Sequence, residues 1–219
     1  MRKSPRLPQE ALEPYMLAAP QPGRLSEPPP APLDWAVVFG NSHPVEIEVG
    51  FGKGLFLVTA SGEHPDTNYL GIEIVRKYQL FTATRLAKRE RRNVRVACTD
   101  ARPFLRDWVA PGSVQAVHLY FPDPWWKKRH HTRRVFTPEF AQTCQRILKP
   151  DGQLIVVTDV ADYAEMVQQT VRDHTQFVEA EPPSEKPPGH DMDYLTNFER
   201  KFRQEGRPIH RMRFLLTPS

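Results

Sequence analysis

Val45-Glu46-Ile47-Glu48-Val49-Gly50-Phe51-Gly52-Lys53-Gly54 is a β-rich run that breaks into glycine at every second position. Residues 45–49 suit a strand. The glycines permit a tight turn and a close approach of backbone to a ligand, and a helix is expected from 54 to 62. The same unit repeats outward from this stretch. Strands are expected at 69–74, 93–98, 114–120, 153–157 and 209–216. Residues 76–91 suit a helix with Leu80, Ala83 and Ala87 on its inner face. Thr137-Pro138-Glu139 has a hydroxyl cap, a proline at the first helical position and an acid in the first turn, so a helix starts there. Phe140, Cys144, Ile147 and Leu148 form its buried stripe. Lys149-Pro150-Asp151-Gly152 reads as a turn. A further helix carries Tyr163, Met166, Val167 and Val171 on one face. Strand–helix units of about 30 residues predict an α/β fold, a doubly wound and mostly parallel sheet. Ligands of such sheets bind outside the carboxyl ends of the strands, so the residues after each strand form one neighbourhood.

The chain has 219 residues and 39% hydrophobic residues, enough for one cored domain over 36–219 plus a tail. Nine of its 23 prolines fall in residues 1–35, which reads as a loosely ordered arm. Thirty Lys and Arg against 26 Asp and Glu give a net charge of only +4, so the distribution of charge matters more than its sum. Cys98 and Cys144 stand far apart with no C-x-x-C, which argues against a disulfide framework and suits a reducing cytosol. No apolar run approaches the roughly 20 residues of a membrane span, and no export signal is recognisable. A cytoplasmic protein with no membrane partner is expected, monomeric or homodimeric.

The spacing of Gly50, Gly52 and Gly54 departs from the dinucleotide fingerprint and favours an adenosyl ligand without a pyrophosphate. Glu73, at the end of the second strand, can accept from the ribose hydroxyls of a bound nucleoside; otherwise it is a solvated strand-end acid. Asp100 can accept from an adenine amino group or cap a helix. Glu48 can orient the glycine loop or the amino-acid end of the cofactor.

The most informative stretch runs from Tyr120 to His131. Its prolines stiffen the loop around Asp123. Trp125 and Trp126 offer faces for stacking, and Lys127, Lys128, Arg129, Arg133 and Arg134 follow with no acid among them. Aromatics beside dense cations suit a phosphate backbone with an unstacked base; the alternative is a solvated basic loop. His130 and His131, lying among five cations, make a poor metal site, and no metal is expected.

On Glu48 to Gly54, Gly71 to Glu73, Asp100-Ala101, Phe121 to Arg134, Thr158-Asp159 and Thr196-Asn197-Phe198-Glu199, the sequence resembles the bacterial tRNA (guanine-N7-)-methyltransferase family, of the TrmB type. The Phe-Pro-Asp-Pro-Trp block with its basic tail is specific to that family, whereas the glycine loop is shared by many methyltransferases. The resemblance implies a seven-stranded, Rossmann-like class I methyltransferase fold and S-adenosylmethionine as cofactor. It implies tRNA as partner, with a variable-loop guanosine as target. It implies cofactor contacts at Glu48, Gly50, Gly52, Glu73, Asp100 and Asp123, with Asp123 the catalytic acid. It places Lys127, Asp159, Thr196, Asn197, Phe198 and Glu199 at the guanosine, and Arg129, His130, His131, Thr132, Arg133 and Arg134 along the RNA. Two departures stand out: Trp126 occupies a position where the family often has proline or histidine, and the arm is long.

These residues suit the chemistry. Guanine N7 has an in-plane lone pair and needs no deprotonation, so the enzyme must chiefly place it in line with the methyl. Methylation leaves the purine cationic, and a nearby carboxylate such as Asp123 is then favoured most in the transition state. Asp159 or Glu199 could accept both guanine N1–H and the amino group. The alternatives are a helix cap for Asp159 and a surface ion pair with Arg203 for Glu199. Tyr163 and Phe198 read as core. The helix over 76–92 carries seven cations; a solvated face is its default reading, and an extra RNA-binding surface is the alternative. Two rivals remain: methylation of an adenine amino group, loosely suggested by Pro122-Asp123-Pro124-Trp125, and an RNA-binding module on a decayed methyltransferase fold.

Overall fold

The computed structural model describes residues 7–23, 29, 31–125, 134–182 and 196–217. Its strands are β1 (Met16–Leu17), β2 (Val45–Val49), β3 (Asn68–Glu73), β4 (Val94–Cys98), β5 (Val114–Tyr120), β6 (Leu148–Thr158), β7 (Phe177–Ala180) and β8 (His210–Leu216). They form one sheet in the order β1-β4-β3-β2-β5-β6-β8-β7. β1 to β6 pair in parallel, while β8 runs antiparallel to both β6 and β7. The helices are α1 (Trp35–Phe39), α2 (Leu55–Glu63), α3 (Arg76–Ala87), α4 (Ala101–Trp108), α5 (Pro138–Ile147), α6 (Ala161–His174) and α7 (Asn197–Gln204).

Alternation along the strands divides the core in two. Val45, Ile47 and Val49 of β2 face the cluster built by α1, α4, α5 and α6, with Phe104, Phe140, Ile147 and Val167 at its centre. The other face carries Phe56, Leu57 and Val58 of α2 and Ala83 and Leu86 of α3. Each fully buried Leu, Ile or Phe contributes about 1.5–3 kcal/mol. This period of two puts Glu46 and Glu48 on the α2 and α3 side of the sheet, where a charge needs a partner.

Thr137 caps α5 by accepting from Phe140 N at 3.2 Å, with Pro138 in the first turn. In α3 the inner face is Gln79, Thr82, Ala83 and Leu86, while Leu80 is exposed, so the helix is rotated from the expected setting. Gln79 can lie inside because its amide donates to Val96 O at 2.8 Å. Residues 149–152 are an excursion inside β6, and the pairing with β5 shifts between Val114 and Ala116.

The sheet has eight strands because part of the proline-rich stretch joins it. Two 3-10 turns, Gln9–Ala11 and Glu13–Tyr15, lead into β1, whose Met16 and Leu17 pair with Val96 and Ala97. Leu12 and Tyr15 are buried, which gives this stretch two apolar anchors that its prolines lack.

Candidate functional site

Register aligns the carboxyl ends of β2 to β6 on one rim: Val49 lies beside Ile72 and Leu119, Glu73 beside Cys98, and Tyr120 beside Val157. Glu48 and the glycine loop, Glu73, Asp100, the Phe121–Trp125 segment and Asp159 all leave the sheet there.

Gly50, Gly52 and Gly54 have φ of 76°, 51° and 64°, the left-handed region that glycine reaches without strain. At Gly54 a Cβ would also overlap the Thr82 methyl, so the close packing of α2 on α3 requires glycine. Glu73 braces the loop: its Oε2 accepts from Gly52 N and its Oε1 from Val75 N, each at 3.0 Å. Both oxygens retain a lone pair for a further donor. Glu48 is 2% exposed, and its Oε2 has no partner. Burial, and then the charge of Glu73, pushes its carboxyl well above the usual range. Asp100 caps α4, accepting from Arg102 N at 3.0 Å, and pairs with the Arg102 guanidinium at 3.1 Å. Beside these strand ends an open cavity of about 740 Å³ runs between Met16 and Leu17 on one side and Ile74, Gln79 and Cys98 on the other.

A buried relay lies under the loop. His118 Nε2 is 2.8 Å from Glu46 Oε2, and His118 Nδ1 is 2.8 Å from the Tyr120 hydroxyl. Nε2–H can donate to the Glu46 carboxylate, and Nδ1 shares a hydrogen bond with the Tyr120 hydroxyl whose direction follows the imidazole tautomer. Burial, then the charges of Glu48, Glu46 and Glu199, holds the Tyr120 hydroxyl well above its ordinary value. Burial raises the Glu46 carboxyl, but the hydrogen bond and charge of His118, with the charge of His64, bring it below its ordinary value. The sequence reading missed this relay. Its signal was period-two: Glu46 and His118 occupy inward positions of strands.

Asp123 stands exposed in the loop after β5. Phe121 and Trp125 both take positive φ, 49° and 43°, and Phe121 N donates to Val157 O at 2.7 Å. Arg134, expected along the RNA, clasps this loop: its Nε donates to Pro124 O at 2.8 Å and its guanidinium lies 6.0 Å from the Tyr163 ring. Tyr163 is core, its hydroxyl pushed up to about 12 by burial, with Asp123 adding to the shift. Trp126, Lys127, Lys128, Arg129, His130, His131, Thr132 and Arg133 lie outside the described residues, as does the Asn197 side chain.

Asp159 caps no helix: Val160 holds the N-cap position of α6 and no side chain caps it, and Asp159 pairs with Arg207 at 3.0 Å. Thr196 caps α7 by accepting from Glu199 N at 3.0 Å. Glu199 is no surface acid. It is 2% exposed and pairs with Arg203 at 2.9 Å and with Arg211 of β8. Phe198, expected in the core, is instead 53% exposed, stacked on Phe202 and tilted against Phe121. The turn of α7 that buries Glu199 and Phe202 leaves Phe198 outward. Arg207 and Arg211, unnoticed in the sequence, tie α7 to the rim. Among the described residues no cluster of three or more His, Cys, Asp or Glu is placed to hold a metal, and no helix is long and apolar enough to cross a membrane.

Residues 42–212 match a family model described as "Putative methyltransferase". The chain is 42% identical over 189 residues to the tRNA (guanine-N(7)-)-methyltransferase of Rhodopirellula baltica, covering 84% of this chain and 70% of that protein. It is 34% identical over 184 residues to the enzyme of the same name from Haemophilus influenzae, covering 84% and 75%. Among solved structures, the fold is similar to that of the 16S rRNA methyltransferase KamB, with a TM-score of 0.60 at 12% identity, covering 90% of this chain and 98% of that one. It is also similar to that of the aminoglycoside resistance methyltransferase NpmB1, with a TM-score of 0.55 at 17% identity, covering 81% and 89%.

Proposed function

The chain belongs to the TrmB-type tRNA (guanine-N7-)-methyltransferase family, and from that premise we propose how its rim performs the reaction. The enzyme transfers a methyl group from S-adenosylmethionine to N7 of a guanosine in tRNA. The observation that carries the assignment of the rim is Glu48, a fully buried carboxyl whose Oε2 has no partner in the described chain. A buried acid left in this way is costly unless a ligand completes it. The cationic amino group of the cofactor's methionyl end is such a ligand. The glycine loop lets that end approach the backbone, Glu73 accepts from the ribose hydroxyls, and Asp100 accepts from the adenine amino group. Ile74, an apolar side chain 56% exposed at the rim, covers the adenine ring.

Bound there, S-adenosylmethionine supplies an electrophilic sulfonium methyl. The chain's own residues do the rest. Guanine N7 needs no base to expose its lone pair, so the rim acts chiefly by positioning. Asp123, on a loop held by Phe121 N and Arg134, places a carboxylate where the purine becomes cationic. Asp159 reads guanine N1–H and the amino group, since its partner Arg207 is half-exposed and leaves Oδ1 to accept, whereas Glu199 is enclosed by Arg203 and Arg211. Thr196 and Glu199 set the pose of α7, Phe198 faces the base, and Asn197 and Lys127 hold the nucleoside. Arg129, His130, His131, Thr132 and Arg133 follow the backbone, and the target guanosine lies in the variable loop.

The test is methyl transfer from tritiated S-adenosylmethionine to unmodified tRNA, followed by nuclease mapping. N7-methylguanosine at a single variable-loop position is the expected product. Label in N6-methyladenosine, or in a guanosine elsewhere, would overturn the proposed assignment of roles.

A further inference from the structure

Residues 76–95 contain eight Lys and Arg against a single acid, Glu90, a local balance of +7 in a chain whose total is +4. The structure sorts these cations. Arg91 packs against Gly62, Arg92 lies 5.3 Å over the Tyr15 ring, and Arg95 lies 5.3 Å over the Phe39 ring. These three serve the fold. Lys77, Phe81 and Arg85 fall at steps of four and share one stripe of the helix, and Lys88 and Arg89 continue the cations into the turn that closes it. Lys77, Phe81, Lys88 and Arg89 are exposed. The Arg85 guanidinium lies 6.0 Å from the Phe81 ring and donates to Lys53 O in the glycine loop at 2.6 Å. Lys53 is itself exposed beside the rim.

None of these stripe cations pairs with a carboxylate among the described residues. Burial, and then the charge of Arg89, lowers the pKa of Arg85, so the stripe repels itself. Arg85 and Arg89, like charges four apart, stand across the end of the helix, where their repulsion opposes the closing turn. A fold that holds them together with Glu90 as the one acid of the stretch presents a site for a polyanion, and a ring among the cations adds a face for stacking.

We propose that the exposed face of α3, continued by Lys53, is a second RNA-binding surface, which grips the tRNA backbone away from the reacting guanosine. The proposal rests on the family's tRNA substrate. RNA fits better than a lipid surface, because the exposed apolar side chains of α3, Leu80 and Phe81, are neighbours in sequence and form no apolar stripe along the helix.

The experiment compares the wild-type protein with the triple variant Lys77→Ala, Lys88→Ala, Arg89→Ala, and with Phe81→Ala. Arg85 is left intact because it holds the glycine loop. Readouts are tRNA affinity against salt, KM and kcat for methyl transfer, and S-adenosylmethionine affinity by calorimetry. The triple variant is expected to raise KM for tRNA about tenfold or more and to flatten the log–log salt slope by about 2–3, roughly 0.9 per lost phosphate contact. Its kcat at saturating tRNA and its cofactor affinity stay at the wild-type level. Phe81→Ala is expected to raise KM with the salt slope unchanged. An unchanged slope and KM in the triple variant would overturn the proposal, as would loss of binding to phosphatidylserine vesicles with tRNA affinity intact. A wild-type protein that transfers no methyl group would instead indict the family reading.

Discussion

Glu48 shows how one side chain can oppose the fold and serve the ligand. Its carboxyl is raised, so the folded state binds a proton more tightly than the unfolded chain does. For such an acid, stability is fullest at low pH and declines as pH climbs from the ordinary carboxylate value towards the raised one. Glu48→Gln removes that liability. It is expected to raise the Tm of the ligand-free protein at pH 8 by roughly 2–8 °C, about 1–2 kcal/mol, with the gain vanishing near pH 4. Its S-adenosylmethionine affinity should fall at least about tenfold, because a neutral amide replaces the acid facing the amino group. A variant that binds the cofactor normally would remove Glu48 from that contact. Asp123 has the opposite profile, exposed and unneeded for folding. Asp123→Ala should lower single-turnover methyl transfer by about 10²–10³-fold, with Tm and tRNA affinity unchanged. Loss of tRNA binding with an unaltered single-turnover rate would refute the role. The acids at the strand ends were legible in the sequence because position after a strand fixes them at the rim. Their partners were not legible. Nothing in the order of residues pairs Glu199 with Arg211, since that contact depends on how α7 docks against β8.

At the level of elements, α7 is held by charge. Glu199 is enclosed with Arg203 and Arg211, and removing one partner from a buried pair costs more than the pair contributes. Arg211→Met is therefore expected to loosen α7 while the sheet persists. Limited trypsin digestion should cut faster at Lys201, Arg203 or Arg207, and the KM for tRNA should rise. Unchanged cleavage would show that aromatic packing on Phe121 suffices. Helix α3 teaches a related lesson about legibility. Its existence follows from period and composition, but its inner face does not. Apolar Leu80 faces water, while Gln79 lies inside because a backbone carbonyl of β4 accepts from its amide. Periodicity counts apolar residues and is blind to a polar group whose hydrogen bond is met.

For the whole molecule, the parallel strands β2 to β6 were readable because each is a short apolar run followed by a turn signal. Strand β1 was hidden, being two residues long and embedded among prolines that read as loose chain. Its stability comes from Leu12 and Tyr15 rather than from its two ladder positions. Tyr15→Ala should cost about 3–5 kcal/mol, read as a lower denaturant midpoint, because it empties a fully buried site and removes the ring under Arg92. A loss below about 1 kcal/mol would mean that the amino-terminal turns are an ornament of the sheet.

Strand β8 follows β7 along the chain, yet it lies between β6 and β7 in the sheet. During synthesis β7 is made before the strand it pairs with, and Glu199 before both Arg203 and Arg211. The cofactor half of the rim, by contrast, is complete once β5 has formed. A chain shortened before residue 211 keeps the strand ends that carry Glu48, Glu73 and Asp100 but lacks the arginine of β8 that seats α7, so the guanosine-facing part of the rim is the last to be completed.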